Sequence, residues 1–186
     1  LTFNVLYVLW PALFVSHLVD QVGGVSAIAK AMQHVIPDNG WLTLVQAWMF
    51  TGLIENVAGF GLPITIGAPM LVAMGVPPLI AVASSAIGHS WAVTTSGMAL
   101  AFRTLADITS TDQKALFPTT SILIGIAILL TGFAAAWMLG QLKHWKKLIL
   151  LAFIVSAALA ISGLLGLISI SSFISAIVGI FAGILL

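Results

Sequence analysis

The stretch LIENVAGFGLPITIGAP, residues 53–69, places a carboxylate and an amide inside an otherwise apolar run. Glu55 and Asn56 come first, the glycine-rich sequence AGFG follows, and Pro63 begins the next apolar piece. Glycine permits the backbone conformations of a tight turn, and proline is favourable in the first turn of a helix. The stretch therefore predicts two helical arms joined at AGFG, with the polar pair just before the turn.

The composition of the whole chain indicates a protein that is embedded in a lipid bilayer. Hydrophobic residues make up 61% of the sequence and charged residues 6%, and the mean hydropathy is +1.20. Such values are typical of polytopic membrane proteins. We therefore predict an all-α integral membrane protein in which residues 1–186 form a single membrane domain.

Charge and cysteine usage exclude several classes of function. The six Lys and Arg residues form no basic face, which argues against a nucleic-acid partner. The sequence contains no Cys, so disulfides, thiolate catalysis and cysteine-ligated metals are excluded. His17 and Asp20 lie three residues apart, but two such groups do not make a metal site. We predict neither a metal nor a cofactor.

The arms on either side of AGFG are too short for two ordinary membrane crossings. The apolar piece from residue 64 to residue 76 would reach about 20 Å as a helix, whereas the hydrocarbon core is ~30 Å thick. Residues 41–76 are therefore predicted to form a re-entrant hairpin that enters and leaves on one side. Non-helical backbone at membrane depth requires burial in protein or contact with a watery cavity. The turn of this hairpin is thus a candidate site.

Other segments read as spans, an interfacial helix, a broken helix and a loop. A broken helix is predicted over residues 79–102, because GHSWAVTTSG, residues 88–97, combines glycines with a histidine and hydroxyl groups. The most polar part, residues 103–114, is predicted to be an aqueous loop. The remaining predictions are a span over 3–21, an interfacial helix over 25–36, and scaffold spans within 121–186 (121–140, 148–167 and 171–186).

Two features of the scaffold region predict its orientation and packing. The loop QLKHWKK carries three lysines, so the positive-inside rule places it in the cytoplasm. Small residues recur at every fourth position of the last segment, and such a face packs closely on another helix. These small residues are Ser171, Ser175, Gly179 and Gly183.

A carboxylate within an apolar stretch indicates a functional role, because a charged group at the centre of a membrane helix costs roughly 2.5–3.5 kcal/mol on insertion scales. Glu55 is therefore predicted to be a binding site for a substrate, an ion or a proton. His89 is either a core histidine or a partner in the same chemistry. An intramembrane hydrolase that uses Ser96 and His89 is a competing hypothesis. In a regular helix these two residues lie about 10 Å apart along the axis, so only an unwound segment would join them.

The sequence LIENVAGFGLPITIGAPMLVAMGVPPLIAVASSAIGHSWAVTTSGMA resembles the bacterial lactate permease family. Members of this family carry a Glu-Gly-x-Ala-Gly-Phe-Gly-x-Pro hairpin followed by a hydroxyl-rich broken helix. The resemblance is specific over residues 54–98, and weaker similarity on both sides includes LWP at residues 9–11. Asn56 departs from the pattern, because the family usually has glycine there.

This resemblance implies a secondary carrier of L-lactate and related 2-hydroxy monocarboxylates such as glycolate. It also implies coupling to protons, an inverted-repeat fold, alternating access, and a location in the bacterial inner membrane. The complete protein is expected to be longer, with a second hairpin and a second broken helix. Transport of another organic anion and coupling to sodium remain alternatives.

The predicted site combines the residues of the turn, the broken helix and the buried acid. By the resemblance, the glycine-rich turn matches the hairpin tip and residues 89–96 match the segment that faces it. Glu55 is expected to carry the coupled proton, together with His89. The residues predicted to contact the substrate are Asn56, Gly59, Phe60, Gly61, Ser90, Thr94 and Thr95.

Overall fold

A computed structural model describes residues 35–57 and 62–186, together with residues 14, 18, 21–23, 27 and 31. The predicted span over 3–21 and most of the predicted interfacial helix over 25–36 lie outside the described residues. The hairpin tip, with Gly59, Phe60 and Gly61, lies outside them as well.

Every regular element in the described part of the chain is helical. The α-helices are α1 (Asn39–Val45), α2 (Thr51–Val57), α3 (Leu62–Ala73), α4 (Pro78–Gly88), α5 (Ser96–Thr109), α6 (Gln113–Met138), α7 (Trp145–Leu164) and α8 (Ser171–Leu185). A π-helix, Gln46–Phe50, joins α1 to α2. Short 3₁₀ helices cover Ser90–Ala92, Leu142–His144 and Ile168–Ile170. The prediction of an all-α protein is confirmed for the described residues.

Three helical stretches among the described residues are long and apolar enough to cross a membrane. They are Gln113–Met138, Leu142–Leu164 and Ile168–Leu185. The α7 helix packs against both α6 and α8, and its buried side includes Leu151, Val155 and Leu159. The outer faces carry exposed apolar side chains such as Leu130 and Phe153, which suit contact with lipid.

The small-residue face of α8 packs closely on the first arm of the hairpin, as predicted. Ser171, Ser175, Gly179 and Gly183 are all buried. A Cβ atom added at Gly179 would lie 2.4 Å from the Sδ atom of Met49. The indole Nε1–H of Trp41 donates to the carbonyl of Gly183 at 2.7 Å, which is possible because that part of α8 has no bulky side chain.

The first arm runs without a break from α1 through the π-helix to α2. Asp38 caps its beginning, because the Oδ1 atom accepts hydrogen bonds from the backbone N–H groups of Gly40 at 2.9 Å and Trp41 at 3.2 Å. The α3 helix packs along the first arm, and residues 74–77 and Asn39 line one cavity of about 270 Å³. The outer ends of both arms therefore meet. That the hairpin is re-entrant in a bilayer stays a prediction.

The helix predicted over residues 79–102 is interrupted at its centre. The α4 helix ends at Gly88 and α5 begins at Ser96, with only one 3₁₀ turn between them. The first turn of α5 is left-handed, with φ values of 53° at Gly97, 60° at Met98 and 59° at Ala99. Hydroxyl and glycine residues thus mark the site of the interruption.

The structure replaces most of one predicted loop by helix. The sequence predicts an aqueous loop over residues 103–114, but α5 continues to Thr109 and α6 begins at Gln113, before the start of the span predicted over 121–140. The non-helical part is confined to residues 110–112. Polar residues on this stretch lie on the exposed side of an amphipathic helix whose other side buries Phe102 and Ala106. The polar residues of this one helix face led to the prediction of a loop, which is wrong for residues 103–109.

Candidate functional site

Glu55 lies buried near the end of α2, where the interruption between α4 and α5 packs against it. The exposed fraction of the residue is 6%. The hydroxyl of Ser96 donates a hydrogen bond to Oε1 of Glu55 at 3.0 Å. On the other oxygen, Nε2 of His89 lies 3.9 Å from Oε2. The carboxylate is therefore contacted by residues from both sides of the interruption.

The position of His89 determines which of its ring nitrogens faces Glu55. Nδ1 lies 2.7 Å from the carbonyl oxygen of Ser85. A carbonyl only accepts hydrogen bonds, so Nδ1 carries a proton in the neutral ring and Nε2 presents its lone pair to Glu55. The distance of 3.9 Å between Nε2 and Oε2 is within the range of an ion pair but too long for a hydrogen bond. Glu55 and His89 therefore face each other across a short gap.

Asn56 joins α2 to the first turn of α8. Its amide nitrogen donates to the carbonyl of Gly52 at 2.8 Å, and its Oδ1 accepts a hydrogen bond from Ser172. The hydroxyl of Ser172 also lies 3.0 Å from the carbonyl oxygen of Thr95. Ser172 therefore connects α8 with both the hairpin and the interrupted helix.

The remaining predicted substrate contacts differ in their accessibility. Thr95 is buried, and its Oγ1 forms no hydrogen bond with any described residue. Thr94 is partly buried next to it. Ser90 is exposed and its hydroxyl donates to the carbonyl of Ile87 at 2.7 Å, within its own turn. The structure brings Glu55, His89, Asn56 and Thr95 together, but it turns the hydroxyl of Ser90 back onto the helix.

Two residues at this site were not predicted as coupling or substrate groups. The sequence predicts Ser96 only as the end of the segment that faces the hairpin tip and as the nucleophile of the competing hydrolase hypothesis, and it does not single out Ser172. The sequence does contain a signal for Ser172. This serine directly follows Ser171, the first residue of the four-residue repeat of small residues, but is not itself part of that repeat. Its partner Asn56 is 116 positions away, so the pairing itself could not be read from the sequence.

The geometry does not favour a hydrolytic dyad. The hydrogen bond of Ser96 goes to Glu55, and His89 uses Nδ1 to bind a backbone carbonyl. A serine nucleophile requires a histidine within hydrogen-bond reach of its hydroxyl, with a further group that orients the histidine. Here a carboxylate lies between the two residues instead. No group of three or more His, Asp and Glu that could hold a metal ion lies within the described part of the chain.

The left-handed turn after Ser96 is a strained part of the site. A residue with a Cβ atom in this conformation costs roughly 1–2 kcal/mol, and both Met98 and Ala99 adopt it. The hydrogen bonds of Ser96 to Glu55 and of Ser172 to the Thr95 carbonyl lie directly before this turn. Tertiary contacts therefore hold the chain at the position where the strain begins.

A second polar cluster lies at the other end of the molecule, where the first arm begins. Oδ2 of Asp38 lies 3.4 Å from Nε2 of His144, and the ammonium group of Lys147 lies over the ring of Trp41. Hydrogen bonding from the backbone N–H of Trp41, with the charges of His144 and Lys143, holds the pKa of Asp38 below its usual value. The lysine loop is thus attached to the start of the hairpin.

Comparison with known proteins identifies the family of this chain. The profile of the L-lactate permease family matches residues 2–186. An L-lactate permease of Streptococcus iniae is 30% identical over 140 residues, which are 75% of this chain and 30% of the relative. An L-lactate permease of Escherichia coli K12 is 28% identical over 114 residues, or 58% of this chain and 21% of the relative.

A glycolate permease of Escherichia coli K12 is 23% identical over 151 residues, which are 77% of this chain and 26% of the relative. The chain therefore spans less than a third of the length of these curated relatives. No solved structure is significantly similar to it. Because the family profile covers nearly all of the sequence, the chain belongs to the L-lactate permease family.

Proposed function

We propose that this protein is a secondary carrier of L-lactate and related 2-hydroxy monocarboxylates in a bacterial inner membrane. The family match and the relatives named as lactate and glycolate permeases support this assignment. The three span-length apolar helices in the described part of the chain support the location in a membrane. A permease family also argues for transport rather than for an enzymatic reaction.

The observation that carries the mechanism is the position of Glu55 between Ser96 and His89. We infer that Glu55 and the Nε2 atom of His89 hold the coupled proton. Glu55 is the only charged residue of α2, α3, α4 and α8. The α5 helix also packs against α2 and carries Arg103 and Asp107, but Asp107 is exposed. Glu55 is therefore the buried carboxylate of these five helices, and His89 is the imidazole that faces it.

The substrate is proposed to bind beside this pair. The turn with Gly59, Phe60 and Gly61 precedes α3, and the positive end of a helix favours a carboxylate. Asn56 and the hydroxyls of Ser90, Thr94 and Thr95 complete the proposed contact set on the chain. Since the relatives are more than three times as long as the part they share with this chain, further segments of the complete protein are proposed to close the site during alternating access.

The test is uptake of labelled L-lactate by proteoliposomes that contain the full-length protein. Uptake is compared with and without an inward proton gradient, for the unsubstituted protein, Glu55→Gln and the control Asp112→Asn. Asp112 is exposed at the start of α6, so the control removes a carboxylate away from the site. We expect Glu55→Gln to abolish the response to the gradient and Asp112→Asn to retain it.

Two results would contradict the proposal. Gradient-driven uptake that is equal in Glu55→Gln and the unsubstituted protein would remove Glu55 from the coupling mechanism. Absence of lactate uptake in the unsubstituted protein would remove the substrate assignment. A panel of organic anions, each measured with and without sodium, then distinguishes another anion or sodium coupling.

A further inference from the structure

We propose that Arg103 and Ser169 form a binding site for the carboxylate group of the substrate, next to the Glu55 site. This inference rests on the proposed function, because it names the cation that would receive the transported anion. Arg103 lies on α5, is partly buried, and donates through Nη2 to the hydroxyl of Ser169. A guanidinium on a membrane-embedded chain requires a partner, and a neutral hydroxyl does not balance its charge.

The guanidinium has donors left for an anion. Among residues 35–57 and 62–186, no carboxylate oxygen lies within 4.0 Å of Arg103. Arginine presents five N–H donors in a planar fork that matches a carboxylate, and the contact with Ser169 uses a donor on one nitrogen. Ser169 accepts this bond, so its own hydroxyl proton is available to donate to a ligand.

The location of this pair connects it to the Glu55 site. Ser169 lies in the 3₁₀ helix just before α8, three residues before Ser172. Ser172 contacts both Asn56 and the backbone of Thr95. Ile170 has a non-helical φ of −124°, so Ser169 and Ser172 do not share one continuous helix. The 3₁₀ helix that contains Ser169 nevertheless packs against both α5 and α8, and α8 packs against α2. A small hydroxy acid held by Arg103 would therefore lie on the same side of the bundle as Asn56.

The distribution of cations makes Arg103 distinct within the described part of the chain. Lys143, Lys146 and Lys147 lie at the other end of the bundle, beside the start of the hairpin. Lys114 is exposed in the first turn of α6. Arg103 is the described cation that contacts the segment preceding α8. It thus supplies positive charge at the end of the molecule where Glu55 and Asn56 lie.

The test measures equilibrium binding of labelled L-lactate to the purified full-length protein without a proton gradient. Losing a charge-assisted contact should weaken binding about 10- to 100-fold in Arg103→Gln, with a smaller loss in Arg103→Lys. Lys114→Gln removes the same charge from a nearby exposed position, and we expect its affinity to stay within about twofold of the unsubstituted protein. Competition with L-lactamide, the neutral amide of lactate, adds a second readout.

Loss of the guanidinium should also abolish the preference for lactate over lactamide, which a structural role would leave intact. If Arg103→Gln does not fold, the test rests on Ser169→Ala, for which we expect a loss of about threefold in lactate affinity.

Two results would overturn this inference and leave the proposed function intact. One is unchanged affinity and unchanged preference in the substituted proteins. The other is an equal loss of affinity in Arg103→Gln and Lys114→Gln. Dependence of stability on anionic lipid with unchanged lactate binding would indicate a lipid anchor instead. Absence of lactate binding in the unsubstituted protein would overturn both the inference and the proposed substrate.

Discussion

Ser96 has one hydroxyl proton and two acceptors within reach. Oε1 of Glu55 lies at 3.0 Å and the carbonyl oxygen of Val93 at 3.2 Å. A charged carboxylate is the stronger acceptor, whereas a protonated carboxyl group competes less well with the carbonyl. The choice between the two acceptors therefore depends on the charge of Glu55. Because the left-handed turn begins at the next residue, Ser96 connects the charge of Glu55 to the backbone of the interrupted helix.

We expect Ser96→Ala to lower proton-driven lactate uptake about tenfold, because a hydrogen bond to a charged group contributes about 1.5–3 kcal/mol. Exchange of lactate at equal pH on both sides should be affected less, since it requires no net proton movement. The measurement is uptake by proteoliposomes across a range of pH, with and without a gradient.

Thr109→Ala is the control for this substitution. Thr109 lies near the end of the same α5 helix, is exposed, and its hydroxyl donates to the carbonyl of Leu105 in its own turn. Its removal should leave the pH profile unchanged. Identical profiles for Ser96→Ala and the unsubstituted protein would show that Ser96 plays no part in coupling.

The α4 helix crosses the first arm of the hairpin at backbone contact distance. A Cβ atom added at Gly88 would lie 1.8 Å from the carbonyl oxygen of Ala47, in the first turn of the π-helix. The same carbonyl accepts a hydrogen bond from Thr51 at 2.6 Å. Only glycine allows this approach, and the next residue is His89, which faces Glu55. The close crossing thus positions the interruption against the buried acid.

Gly88→Ala should destabilise the protein by about 1–3 kcal/mol, because the new methyl group meets backbone that cannot move aside. Gly125→Ala is the matched control within α6. Its Cβ atom would lie 3.3 Å from the side-chain oxygen of Ser156, a group that can shift. We expect a change of less than about 1 kcal/mol there, since alanine also favours the helix. Thermal unfolding in detergent measures both, and equal midpoints would contradict the proposed contact.

The whole molecule has two chemically different ends. The lysine loop, the start of the first arm and the cavity lined by residues 74–77 lie at one end. Arg103, Ser169 and the Glu55 site lie at the end where α8 begins. The hairpin extends between them, with its tip residues outside the described part. If the hairpin is re-entrant, both of its outer ends must face the same compartment as the lysine loop.

This topology predicts the labelling of single cysteines, which is convenient because the 186-residue sequence contains none. Cysteines introduced at the exposed positions Asn39, Pro77 and Lys143 should react with a membrane-impermeant maleimide from one side of the membrane. A cysteine at Ser110 should react from the opposite side. The positive-inside rule assigns the first side to the cytoplasm. Labelling of positions 39 and 77 from opposite sides would show that the hairpin crosses the membrane.

The sequence alone determined the helical class, the presence of three long apolar helices after residue 110, the interruption near His89 and the close-packing face of α8. These features follow from local properties, namely the length of apolar runs, the backbone freedom of glycine and the spacing of small residues. The polar residues within 103–109 led to the wrong prediction of a loop, because the polarity of a segment does not show whether it is helical.

Only the tertiary structure decided which groups meet. It placed Ser96 on Glu55, Ser172 on Asn56 and Arg103 on Ser169, pairs that are 41, 116 and 66 positions apart. It also turned the hydroxyl of Ser90 back onto its own helix. These contacts depend on the rotation and crossing of packed helices, which positions such as Gly88 and Gly179 set through close approach. The physical reason is that a polar residue in a membrane chain signals the need for a partner, whereas the identity of the partner depends on how distant helices pack.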